Sequence, residues 1–116
     1  MKREYPMIEK NQQYVDDVKK YVASTDEAMV NAIVRYCGIA LRSKDAARVS
    51  CSQKHELERV RENFLKKKLG LAENDAELDK AIKEVCEQMG ASNKNKSRVT
   101  FYYLLAEKFG KQSALT

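Results

Sequence analysis

Three cations and two asparagines stand between Asn93 and Arg98, and three lysines run together at Lys66, Lys67 and Lys68. The chemistry these side chains suit best is anion binding. Lysine and arginine neutralise phosphates without reading sequence. Asparagine and arginine also match the hydrogen-bonding edges of bases. Ser92 has the character of a helix cap, so the spacing puts Lys94, Asn95, Lys96 and Arg98 in the first turns of a helix. The free N–H groups of such a start attract anions. The candidate anion or nucleic-acid site is therefore Lys66, Lys67, Lys68, Lys94, Asn95, Lys96 and Arg98.

Catalytic chemistry has less to stand on. His55 is the only histidine. No serine or cysteine stands with a base and an orienting group at a recognisable spacing. One histidine cannot anchor a multi-histidine metal site, and His55 is expected as an exposed polar residue in a first helical turn. The acidic run Glu73–Asp79 fails as a calcium loop, because Lys80 would occupy the glycine position and Cys86 the bidentate glutamate position. Helix capping explains that run better. Asp16 and Asp17 point to different sides of a helix and make no acid–base pair. No phosphate-binding glycine loop is present. The sequence thus offers no catalytic, cofactor-binding or metal-binding residue, and a non-enzyme is expected.

The cysteines, Cys37, Cys51 and Cys86, fit neither a metal knuckle nor a Cys-x-x-Cys redox pair. Cys37 and Cys86 fall on apolar helical stripes, where a free thiol behaves as a small hydrophobe. Cys51 falls in a connection and is expected as an exposed thiol.

Charge is unevenly spread. The balance is +2 over residues 1–50, +3 over 51–70, −4 over 71–91 and +4 over 92–116. One acidic segment is flanked by two basic ones. The first expectation is that they pack together and pair. The functional alternative is a basic surface for phosphates built from the two lysine clusters.

The elements that must position these groups are helices. Glycine and proline are scarce, helical spacing of apolar residues recurs, and period-two alternation is nowhere sustained. The first segment runs from Glu9 to Val22. The second follows the start signal Thr25-Asp26-Glu27 and runs to Leu41. The third runs from Ser52 to Leu69, with Gly70 and Leu71 as a left-handed stop and its hydrophobic clasp. The fourth opens on Asn74-Asp75-Ala76-Glu77, a capping box with asparagine as the cap, and ends at Gly90. The fifth runs from Asn93 to Phe109 and is apolar around most of its surface, which makes it the central helix. The tyrosines Tyr14, Tyr21, Tyr36, Tyr102 and Tyr103 fall within these segments, and core packing suits them better than base stacking. A helix-turn-helix across segments four and five is disfavoured. Lys96 falls where the recognition helix needs an apolar residue, and segment five is too apolar for a groove. The connection from Ser43 to Cys51 is the longest and carries no clear pattern.

The order of three blocks resembles a known family. They are Asn63-Phe64-Leu65-Lys66-Lys67-Lys68-Leu69-Gly70-Leu71, then Glu77-Leu78-Asp79-Lys80-Ala81-Ile82, then Ser92 to Arg98 with Phe101-Tyr102-Tyr103-Leu104-Leu105 and Phe109-Gly110. Over about Ser52 to Lys111 the chain is similar to the domain-of-unknown-function 2853 family. That resemblance implies a helical bacterial cytoplasmic protein and no assigned activity.

The expected fold is all-α: one compact domain over 1–116 with about five helices, the C-terminal helix central, and flexible ends at 1–8 and 111–116. Apolar runs such as Tyr36–Leu41 are far shorter than the ~20 residues a bilayer needs, and no secretory signal opens the chain. The cytoplasm is the expected compartment, with no membrane contact. The expected function is a non-catalytic protein-interaction module, its partner another protein or a second copy. The surplus of apolar positions on segment five and Tyr36–Leu41 motivates this. The alternative is weak nucleic-acid or polyanion binding through the basic clusters.

Overall fold

The computed structural model describes residues 5–115. It is a single domain of five helices: α1 Tyr5–Val18, α2 Glu27–Cys37, α3 Lys54–Arg59, α4 Asp75–Gln88 and α5 Arg98–Lys108. A 3-10 segment, Gly38–Arg42, extends α2, and a π-helical segment, Val60–Lys68, continues α3. There is no strand among the described residues, only an isolated antiparallel bridge between Arg48 and Ser97.

Two of the expected helix starts form as side-chain caps. Asp26 accepts from the Met29 N–H at 3.2 Å, and Asn74 accepts from the Glu77 N–H at 2.9 Å. Each satisfies one of the donors that a helix start leaves free. The Gly70 stop also forms. Its φ is +69°, the Leu71 N–H reaches back to Leu65 O at 3.1 Å, and Leu71 is buried.

Several boundaries differ from the sequence reading. α1 runs Tyr5–Val18 rather than Glu9–Val22. α2 breaks four residues early, because Gly38 adopts φ +53° and its N–H turns back to Val34 O. The end of α3 widens into π geometry, with the Leu69 N–H bonded to Phe64 O at 2.9 Å. The wider turn brings Phe64, Leu65 and Leu69 all inward. α5 begins at Arg98 rather than Asn93.

The core forms around α5. Every residue from Val99 to Ala106 is buried, and α5 packs against α1, α2 and α4. A helix apolar on all sides has to be enclosed, as expected of this one. Phe64 stacks on Tyr102 with ring centroids 3.9 Å apart. Tyr103 uses its hydroxyl to accept from the Asp26 N–H at 2.9 Å, tying α5 to the start of α2. Thr100 donates to Asp17 of α1.

Of the ends expected to be flexible, residues 1–4 and Thr116 lie outside the described residues. Tyr5–Ile8 form the first turn of α1. Gln112–Ala114 form a 3-10 turn, and Leu115 is buried.

Candidate functional site

The two basic clusters lie at opposite ends of α4. Lys66 reaches Asp75, the first residue of α4, at 2.6 Å. Lys94 and Lys96 lie in the connection that follows α4. With 14 residues in α4 and a rise of ~1.5 Å each, the clusters are roughly 20 Å apart. The structure does not gather the seven candidate residues into one surface.

Within each cluster, several cations are already engaged. Lys66 is paired with Glu62 at 2.9 Å and with Asp75. Lys67 is exposed. Lys68 lies 5.4 Å from the Tyr36 ring centroid, a cation–π distance. Lys94 is exposed, and Asn95 accepts from Arg48 at 2.8 Å. Lys96 is only 2% exposed and donates its ammonium to Asn93 O at 2.6 Å. Burial lowers its pKa. Arg98 meets the Glu56 carboxylate at 2.6 Å, the Tyr102 hydroxyl at 2.9 Å, and the carbonyls of Ala46 at 2.6 Å and Arg48 at 3.2 Å. It acts as a strut between α3, α5 and the 43–53 connection. Burial pushes the Tyr102 hydroxyl up to about 12, with Arg98 acting in the opposite sense.

The late start of α5 has a local cause. The Val49 N–H bonds to Lys96 O at 2.9 Å, and the Arg98 N–H bonds to Ala47 O at 2.8 Å. These two bonds hold residues 96–98 extended against 47–49. Lys94, Asn95 and Lys96 therefore stand outside the helix, and the first N–H of α5 is taken by protein.

The acidic segment pairs with its basic neighbours, as the charge partition suggests. Arg61 meets Asp79 at 3.0 Å and Asp75 at 3.7 Å, and Lys108 meets Glu84 at 3.0 Å. The carboxylates of these pairs stand about half in solvent, which screens them, so the pairs contribute little to stability.

The cysteine expectation is corrected. Cys51 and Cys86 form a disulfide, while Cys37 is free and half-buried. The bonded residues are 35 apart in sequence, a spacing that carries no pairing signal. The bond ties the 43–53 connection to the C-terminal half of α4. Two grooves flank it. The smaller, about 460 Å³, is lined by Leu57, Ile82 and the Arg61–Asp79 pair. The larger, about 930 Å³, is lined by Asp45, Arg48, Lys83, Glu87, Lys94 and Lys96 among others. Sequence reasoning missed Arg48 and Lys83. Neither stands in a charge run, and only the bridge and the disulfide bring them beside Lys94 and Lys96.

His55 is exposed in the first turn of α3 with its Nδ1 3.7 Å from Glu58. No group of three or more metal-ligating side chains exists among the described residues. Among the described residues, no helix is long and apolar enough to cross a membrane. The apolar surplus divides in two. The face of α5 is consumed by the core, whereas Ile39 at 77% and Tyr36 at 39% remain the exposed large hydrophobic side chains among the described residues.

No curated protein matches the chain. A family model described as a protein of unknown function (DUF2853) matches residues 13–113. With nearly all of the five-helix domain inside that match, the chain belongs to the DUF2853 family.

Proposed function

We propose that the protein is a non-catalytic interaction module whose docking face is the exposed end of α2 and its 3-10 extension. The observation that carries this is Ile39, the second residue of that extension, which is 77% exposed. Tyr36, three residues earlier, is 39% exposed, Arg35, Arg42 and Lys67 are exposed on the same or the neighbouring segment, and Lys68 lies over the Tyr36 ring. An apolar centre with a cationic rim fits an acidic segment that carries apolar side chains. Apolar contact supplies affinity, and the rim charges raise the association rate.

Selection of displayed peptides against the full chain tests this. Acidic peptides with bulky apolar residues should be enriched, should bind wild type, and should lose binding to Ile39→Asp. Peptides that bind Ile39→Asp as well as wild type would refute the assignment. A second copy of the chain is the other occupant, and it would show as concentration-dependent dimerisation that Ile39→Asp abolishes.

Weak polyanion binding is the second reading, supported by the exposed Lys67 and Lys94. The proposed compartment is the bacterial cytoplasm. Reductants there keep most thiols reduced, so rapid alkylation in intact cells should trap Cys51 and Cys86 with free thiols, the bond of the structure forming on oxidation of the chain. A fully bonded pair would instead indicate an oxidising compartment.

A further inference from the structure

Lys96 is the one candidate cation that is buried without a carboxylate partner among the described residues. Its ammonium carries three donors, and its recorded partner is one backbone carbonyl, Asn93 O. Two donors remain on a side chain in a residue only 2% exposed. A buried charge of this kind is costly unless something pairs with it. Lys96 lines the 930 Å³ groove, a volume in the range of small-molecule sites.

The charges around the groove have a definite sign. Arg48, Lys83, Lys94 and Lys96 line it, opposed by Asp45, Glu56 and Glu87. Glu56 is held by Arg98 at 2.6 Å and is neutralised there. Four cations then face two carboxylates, an excess of two positive charges. Arg48 is held on the wall by bonds from its Nε to Lys44 O and from its Nη1 to Asn95, which leaves its Nη2 free of a recorded partner.

We propose that this groove binds a small dianionic oxyanion, a phosphate ester or a dicarboxylate, with Lys96 as its buried partner and Arg48 and Lys94 at the rim. The two free donors of Lys96 and the charge excess match two acceptor oxygens and two negative charges. In the oxidised chain the Cys51–Cys86 bond joins two of the residues that line the groove. It is separate from the Tyr36–Ile39 face and does not rest on that assignment.

The test is titration of the isotope-labelled full chain with inorganic phosphate and, separately, with succinate, at constant ionic strength, followed by amide shifts. Saturable shifts confined to Arg48, Val49 and Ser92–Lys96 are expected. Lys96→Met should weaken binding at least tenfold, and Arg48→Gln severalfold. Tighter phosphate binding identifies a phosphate ester, and tighter succinate binding a dicarboxylate; either supports the site. Shifts that do not saturate and spread over all lysines would overturn it. So would unchanged affinity in Arg48→Gln and Lys94→Gln, which decide the matter if Lys96→Met fails to fold. Ile39→Asp should leave the titration unchanged, so loss of the docking face and loss of this site are separately visible.

Discussion

Arg98 shows how far a residue type can mislead. Lysine and arginine in a run suggest a surface, and Arg98 ends such a run. In the structure its guanidinium is largely buried, with its side chain 12% exposed and the Glu56 side chain 15%. Removing one partner of a buried pair costs about 3–5 kcal/mol, because the other charge is left unpaired. Arg98→Met should therefore lower unfolding free energy by about that much in urea titrations, whereas Lys94→Met should change it by less than about 0.5 kcal/mol. Equal effects would mean that the strut does not exist. Cys37 gives a second test at this scale. Burial holds its thiol up at about 11, against an ordinary value of 9.0, with Arg98 acting the other way. The folded state holds this proton more tightly than the unfolded state. Its contribution to stability is therefore complete below about pH 9 and is lost as pH rises through about 11. Alkylation of Cys37 at pH 8 should be slow in the native protein and fast in denaturant. A native rate equal to the denatured one would show that the thiol is not buried.

At the scale of elements, local signals were legible and remote ones were not. Asp26 and Asn74 could be read as caps because a cap needs only the next three residues. Gly70 with Leu71 could be read as a stop for the same reason. The enclosed α5 was visible in its own composition. The Arg48–Ser97 bridge, the Arg98–Glu56 pair and the Cys51–Cys86 bond each join residues more than thirty positions apart. No local pattern encodes such contacts, so the spacing puts Lys94–Lys96 in a helix that starts only at Arg98, and it gives no sign of the larger groove. The disulfide has a measurable consequence for these elements. A bond of this loop length stabilises by about 2–4 kcal/mol. Cys51→Ser should lower stability by that order and raise amide exchange at 43–53 and at the end of α4, with α1 and α2 unchanged. Uniform exchange would indicate that the bond does not hold that connection.

Across the whole molecule, the arrangement of charge limits what a polyanion can grip. If the six candidate cations formed one surface, duplex DNA would release counterions from about as many phosphates, and log Kobs would fall with log salt at a slope of roughly −5. They do not form one surface. α4 separates the two groups, Lys66 is spent on Glu62 and Asp75, and Arg98 on Glu56. A duplex at the α3 end meets Lys67 and Lys68 with Arg35 and Arg42 on the neighbouring segment, and one at the far end meets Lys94 with Arg48 and Lys83. With at most four cations at either end, the expected slope is no steeper than about −3.5. Anisotropy of labelled duplex DNA between about 50 and 200 mM salt measures it in the range where phosphate contacts dominate. Lys67→Ala with Lys68→Ala should make the slope shallower by about 2 if the α3 end is the contact, and Lys94→Ala by about 1 if the other end is. A slope near −5 would mean that the clusters act together, and that the pairing of α4 with its basic neighbours opens when nucleic acid binds.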